Sequence, residues 1–304
     1  MKNSYLVNVF KIMFLVSFLG FESILGQNEN DAVRLAVPGV LSNARALSMG
    51  NSYLTRSGDY SAMYFNPAGL ALSDHSQLTG SFYHRFQQTS TQFFDNEDSE
   101  NNSSTSLGQL GYLYKAPTTR GSLVYGFGYQ TDRDYTSALS FEGFNPNRNS
   151  MIQDLTNNND DITYLLGLSY PLTDIDNIYI KDTTNINGRL SQSGSILEGG
   201  NIDRYSFGAG IEAAKGIYVG GSLNYLSGNY NNNREYYEDD WAGYYTSPTD
   251  INDPNTKNFN SFYFNDVLSW NMHAWEMRFG FIVDWINFVS IGGSVKLPTK
   301  YAIR

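Results

Sequence analysis

The sequence predicts an all-β chain, and within that class a transmembrane antiparallel β-barrel with an irregular, partly helical plug inside its lumen. The first observation is the alternation over residues 275–285. Trp275, Met277, Phe279, Phe281, Val283 and Trp285 share one face, and Glu276, Arg278, Gly280, Ile282 and Asp284 share the other. At roughly 3.3 Å per residue the two tryptophans stand about 33 Å apart along the strand. A tilt of roughly 40–45° turns that into about 23–25 Å of height, the apolar band of a membrane barrel between its aromatic girdles. Glu276 and Arg278 face away from that band, as lumen charges do. The second observation is composition: 23 Tyr, 19 Phe and 28 Gly in 304 residues with only 16% charged side chains, against about 25% in soluble domains. A soluble sandwich can share that composition, so strand length and girdle spacing decide between the two. The third is that no apolar run after Gln27 approaches the ~18 residues of a helical span.

From the N-terminus, Lys2 and Lys11 precede the apolar run 12–21 and then Ser23, Ile24, Leu25 and Gly26. This charged-then-apolar order is that of a secretory signal, with cleavage expected before Gln27. The expected organisation is therefore a signal peptide over 1–26, a plug over 27–77 and a barrel over 78–304. Residues 27–77 lack barrel alternation. Ala-rich stretches broken by Gly50 and by Asn66-Pro67 predict short helical pieces joined by fixed bends.

Nine strands are expected, over 78–90, 107–117, 121–131, 161–171, 177–182, 203–214, 217–229, 267–284 and 287–297. In each, aromatic or aliphatic residues oppose small or polar ones. Short turns fall at 117–120, Lys215-Gly216 and 284–287, and long polar loops at 94–106, 136–160 and 231–265. Placing every short turn at one end requires the weak segment 177–182 as a strand, with 185–201 as a further loop. Nine is odd, and bacterial barrels have even strand numbers, so further strands are expected beyond Arg304.

Ala44-Arg45-Ala46-Leu47-Ser48-Met49-Gly50-Asn51, with Asp59-Tyr60-Ser61-Ala62 and Asn66-Pro67-Ala68-Gly69-Leu70-Ala71, resembles the hatch of the FadL/TodX outer-membrane transporters. The resemblance extends to 118–123 and 141–146, which are similar to Bacteroidetes-type members. It implies a fourteen-strand barrel, of which about five strands lie outside this sequence. It also implies passive uptake of long-chain fatty acids or other hydrophobic compounds across the outer membrane of a Gram-negative bacterium. By the same resemblance, Asn66, Pro67, Ala68 and Gly69 form the gating turn, and a third-strand bend at Gly126 and Gly128 opens a lateral exit. Glycines that give room to the hatch are the competing account of Gly126 and Gly128. Related barrels serve type IX-like secretion or surface attachment, so secretion-system subunits are the alternative partners. A non-specific porin is disfavoured by the small and apolar inner residues.

The remaining chemistry is sparse. A net charge of −10 without a basic patch argues against nucleic acid. The absence of cysteine removes disulfides, thiolate metal sites and thiol nucleophiles. His75, His84 and His273 are not at metal-ligand spacing, and no nucleophile elbow, phosphate loop or dinucleotide fingerprint occurs. Neither an enzyme nor a cofactor or metal is expected. The partners expected are a hydrophobic small molecule, outer-membrane lipid and lipopolysaccharide. Tyr236, Tyr237, Trp241, Tyr244 and Tyr245 are expected in an external loop, either as a landing groove for an apolar ligand or as loop packing. Glu276 and Arg278 are expected to line the lumen, paired with plug residues such as Arg45 or Asp59.

Overall fold

The computed structural model describes residues 29–36, 44–158, 161–250, 253, 256–286 and 289–304. The expected signal segment 1–26 lies outside the described residues, as does the side chain of Trp285. The chain divides into two units, Met1–Gly39 and Val40–Arg304. In the first, helix α1 (Glu29–Ala36) carries an Arg34–Asp31 ion pair of 2.8 Å across one turn.

The second unit begins with α2 (Ala44–Ser48), α3 (Ala62–Phe65) and a 3-10 turn (Pro67–Leu72). Strands β1 (Gln77–Phe93), β2 (Asn96–Ala116), β3 (Leu123–Asp134) and β4 (Ser137–Phe144) follow, then helices α4 (Met151–Asn157) and α5 (Asp161–Leu165). The rest is β5 (Tyr170–Thr173), β6 (Tyr179–Thr183), β7 (Ser191–Gly199), β8 (Asn201–Ala214), β9 (Ile217–Asp239), β10 (Ser261–Ile286), β11 (Val289–Lys296) and β12 (Tyr301–Ile303). No described helix is long and apolar enough to cross a membrane, which leaves strands untouched by that test.

One antiparallel sheet, in the order β1-β2-β3-β8-β9-β10-β11, organises the unit. Its outer face is laid out in rows. Tyr129, Tyr205, Tyr225 and Trp275 are direct cross-strand neighbours on β3, β8, β9 and β10, with ring centroids 5.6, 6.5 and 5.0 Å apart. Two residues along, Phe127, Phe207, Leu223 and Met277 form the next row, and Leu123, Ile211, Val219 and Phe281 a later one. On the other side of the aromatic row stand Thr131, Asp203, Ser227 and His273. The face therefore changes from apolar to polar within one pleat. Its apolar part is uncovered: Trp275, Phe207 and Phe279 are 61%, 58% and 52% exposed.

Beyond the aromatic row the sheet continues as a polar wall. β9 pairs β8 through its first half and β7 from Asn231 to Asp239, and β7 pairs β4. The expected loop 94–106 is strand: β1 and β2 stay in register to Phe93 and Asn96 around a turn with Phe94 at φ +52°. Polar side chains line both faces there, so no alternation marks the strand. For the same reason β4, β7, the end of β9 and the start of β10 occupy what read as the loops 136–160, 185–201 and 231–265.

Two expected strands are corrected. Residues 161–167 form α5 and a turn, with strand only from Tyr170 in β5, because Gly167 at φ +69° ends the helix with its N–H on the Tyr164 carbonyl. A left-handed glycine closes a helix at little steric cost, and five residues of alternation do not separate strand from helix. Residues 177–182 belong to the separate β5–β6 hairpin. Removing two strands leaves the parity intact. The β2–β3, β8–β9 and β10–β11 connections still share one end of the seven strands of that sheet path, with residues 287–288 of the expected turn 284–287 and strand 287–297 outside the described residues. The last strand also resumes past Pro298. β11 pairs β10 up to Lys296, and β12 resumes with Tyr301 opposite Ala274, one residue out of register. Proline has no N–H for the ladder, so the shift falls there. Among the described residues, β1 and β11 are paired on one edge only.

Candidate functional site

The inner face of the sheet is lined with glycine because residues 44–73 lie against it. A Cβ at Gly111 or Gly128 would meet the Tyr60 ring, and at Gly126 or Gly208 the Met63 side chain. At Gly210 and Gly220 it would meet Pro67, and at Gly280 both Asn66 and Pro67. Tyr60, Ala62, Met63 and Leu70 of this segment form one fully buried cluster with Leu113 and Val124 of the sheet. The glycines are thus a socket, since bare backbone lets the segment approach where any side chain would overlap it.

Asn66, Pro67, Ala68 and Gly69 sit at the bottom of that socket. The Asn66 side chain accepts from the Ala68 N–H at 3.1 Å, capping the 3-10 turn, and donates to the Phe281 carbonyl of β10 at 3.0 Å. Pro67 occupies the first helical position, where its missing N–H costs nothing. Gly69 has Ser57 so close that a Cβ would overlap it. Ser122 and Ser222 add hydrogen bonds to the Ala71 and Met63 carbonyls at 2.5 and 3.3 Å. Gly280→Ala is therefore expected to destabilise the fold by about 1–3 kcal/mol through overpacking. Urea midpoints of refolded protein check it, and Gly199→Ala, whose Cβ meets nothing within 4 Å, is the control.

Gly126 and Gly128 belong to the same socket. β3 pairs with β2 and β8 without interruption through both, and its only irregularity lies at Thr131/Arg133. Room for Tyr60 and Met63 is the role the geometry supports for them.

Glu276 and Arg278 do face inward, but their partners differ from those expected. Arg45 and Asp59 are 3.9 Å from each other within the N-terminal segment. Glu276 instead accepts from Arg204 at 2.5 Å and Arg278 at 3.2 Å, and Arg204 reaches Asp132 at 2.6 Å. Arg278 donates to the Tyr64 carbonyl. The Arg204 and Arg278 guanidiniums stand 5.3 and 5.0 Å from the Tyr64 ring centroid. Asp132, Arg204 and Glu276 are each at most 3% exposed. Sequence reasoning missed Asp132 and Arg204. Arg204 lies in the polar alternation of β8, where inward charge was the one available signal.

The five aromatic residues do not converge on a groove. Tyr236 and Tyr237 are consecutive on β9 and point to opposite faces. Tyr237 stacks on Tyr263 at 4.5 Å, and Tyr236 donates to Glu238 at 2.8 Å. Burial, with Glu238 beside it, pushes the Tyr236 hydroxyl pKa up. Tyr245 packs on the cluster of Ile152, Ile186, Leu190 and Phe262, while Tyr244 lies under Arg189 at 4.6 Å and Trp241 is exposed. Fully buried Glu238 also accepts from Ser150 Oγ, the Met151 N–H and Gln192 at 2.6–2.8 Å. It pins α4 to the wall, a role hidden in the sequence by its place in an acidic run. No group of three or more potential metal ligands occurs among the described residues.

These features define an all-β protein: an antiparallel sheet with an apolar, uncovered outer face and a glycine-lined inner face filled by its own N-terminal segment. Comparison with known proteins adds no nearer identity, since no family model, curated protein or solved structure matches the chain.

Proposed function

We propose that this sheet is the wall of a β-barrel in the outer membrane of a Gram-negative bacterium, plugged by residues 44–73, and that it admits hydrophobic small molecules passively. The observation that carries the reading is the pairing of the two faces. Uncovered Phe, Leu and Met rows end at a registered aromatic girdle, the arrangement that suits acyl chains and their headgroup boundary. Behind them, glycine and small polar residues hold a plug rather than a water-filled pore. In such a barrel the strand edges are paired, because unpaired backbone in hydrocarbon costs several kcal/mol per group. The FadL/TodX resemblance of the 44–71 motifs points the same way. It gives long-chain fatty acids or aromatic hydrocarbons as the ligand class, with lipopolysaccharide around the wall.

The test is uptake into liposomes carrying an internal fatty-acid indicator. Protein-containing liposomes are expected to take up oleate faster than empty ones. Inserted protein that gives no acceleration, or a large steady ion conductance instead, would overturn the reading. The polar wall beyond the girdle, with its packed cluster around Ile152 and Phe262, favours a second reading. It offers a docking surface for secretion-system subunits, and purification within a large membrane complex would support it.

A further inference from the structure

We infer that Tyr64 is the latch by which the wall holds the plug shut, its ring held against both Arg204 and Arg278. This deepens the proposed function and rests on the plugged-barrel reading. Tyr64 sits on α3, directly before the Asn66-Pro67 turn. The two guanidiniums that contact its ring come from different strands, β8 and β10, at 5.3 and 5.0 Å from its centroid. Arg278 also holds the Tyr64 carbonyl.

How the two arginines are held matters as much as their contacts with the ring. Arg204 is bound by Asp132 and Glu276, and Arg278 by Glu276, all residues of the wall. When Tyr64 leaves, neither arginine is stranded without a counter-charge. A direct ion pair between plug and wall would leave a buried charge behind on opening, at a cost of several kcal/mol. Cation–π attraction and hydrogen bonding to the Tyr64 backbone are weaker ties than a buried ion pair. Both arginines therefore keep a carboxylate partner whether the plug is closed or released, which avoids the cost of an unpaired buried charge. The other socket contacts combine shape-dependent packing with hydrogen bonds of neutral groups at Asn66, Ser122 and Ser222, and the latch is the part of the closure that engages charged side chains.

The absence of cysteine from the chain makes the test clean. Ser61→Cys places a thiol at a position that is 1% exposed in the closed plug, and its modification by a membrane-impermeant maleimide reports opening. The experiment uses the full chain folded in liposomes. Tyr64→Leu in that background is expected to speed labelling roughly tenfold, the effect of losing two cation–π contacts. Tyr64→Phe, which keeps the ring, is expected to label more slowly than Tyr64→Leu. Arg278→Met, which leaves Glu276 its Arg204 partner, is expected to move with Tyr64→Leu. Labelling of folded Tyr64→Leu at the parent rate would overturn the latch and leave the plugged barrel standing. Failure of the parent itself to insert would overturn the plugged barrel, and the latch with it.

Discussion

Replacing Arg204 by methionine is expected to cost about 3–5 kcal/mol of stability, read as a fall in the urea midpoint of the folded protein in lipid or detergent. Arg204 lies between Asp132 and Glu276, at 2.6 and 2.5 Å, and all three are at most 3% exposed. The penalty comes from what remains. Asp132 keeps only Arg133 at 3.4 Å, and Glu276 keeps Arg278 and the half-exposed Lys296. Two carboxylates are then left facing one another in a site closed by the N-terminal segment. Glu276→Gln is expected to cost less, because Arg204 retains Asp132 and the amide still accepts a hydrogen bond. Equal losses for the two variants would mean that the network is not organised around Arg204.

Phe279→Arg is the second large effect, expected at about 2–4 kcal/mol in lipid, where a cation near the middle of the apolar band must leave the hydrocarbon. Phe279 lies four residues below the Trp275 girdle on the outer face, and its ring is 52% exposed. In a water-soluble sandwich the same substitution, at a half-exposed position, would be within about 0.5 kcal/mol of neutral. Ser269→Arg, on the same face but three pleats beyond the girdle, is the control expected to be silent. Folded fractions in liposomes, scored for both variants, separate the two cases. Equal folding of both would remove the membrane face from the argument.

Of the fold, the outer face was the legible part. Trp275, Phe279 and their neighbours repeat at period two because each must point the same way, and that constraint acts on one strand at a time. The inner glycines were visible, but their meaning was not. Gly126 and Gly128 read equally as a bend or as a space, and only Tyr60 and Met63 lying over them decide. Glu276 and Arg278 were placed on the correct face with the wrong partners, since Arg204 and Asp132 sit 72 residues apart in sequence and meet only through the register of β3 and β8. Segment 161–171, read as a strand and found mostly as helix and turn, and segment 177–182, a strand that pairs in a separate hairpin rather than in the main sheet, both lie in the insertion between β4 and β7, where packing on Ile152 and Ile186 replaces the main sheet as the ordering force.

The sequence by itself determined that the chain is all-β, which residues share the apolar face, and where the turns after β2 and β8 fall. These depend on period and turn chemistry, which are local. Only the tertiary structure decided the strand neighbours, the continuation of the sheet into polar wall, the glycine socket for Asn66 to Gly69, and the charge network that grips Tyr64. Those depend on register between distant segments and on which backbones approach closely enough to exclude a Cβ. No single stretch of sequence carries that information.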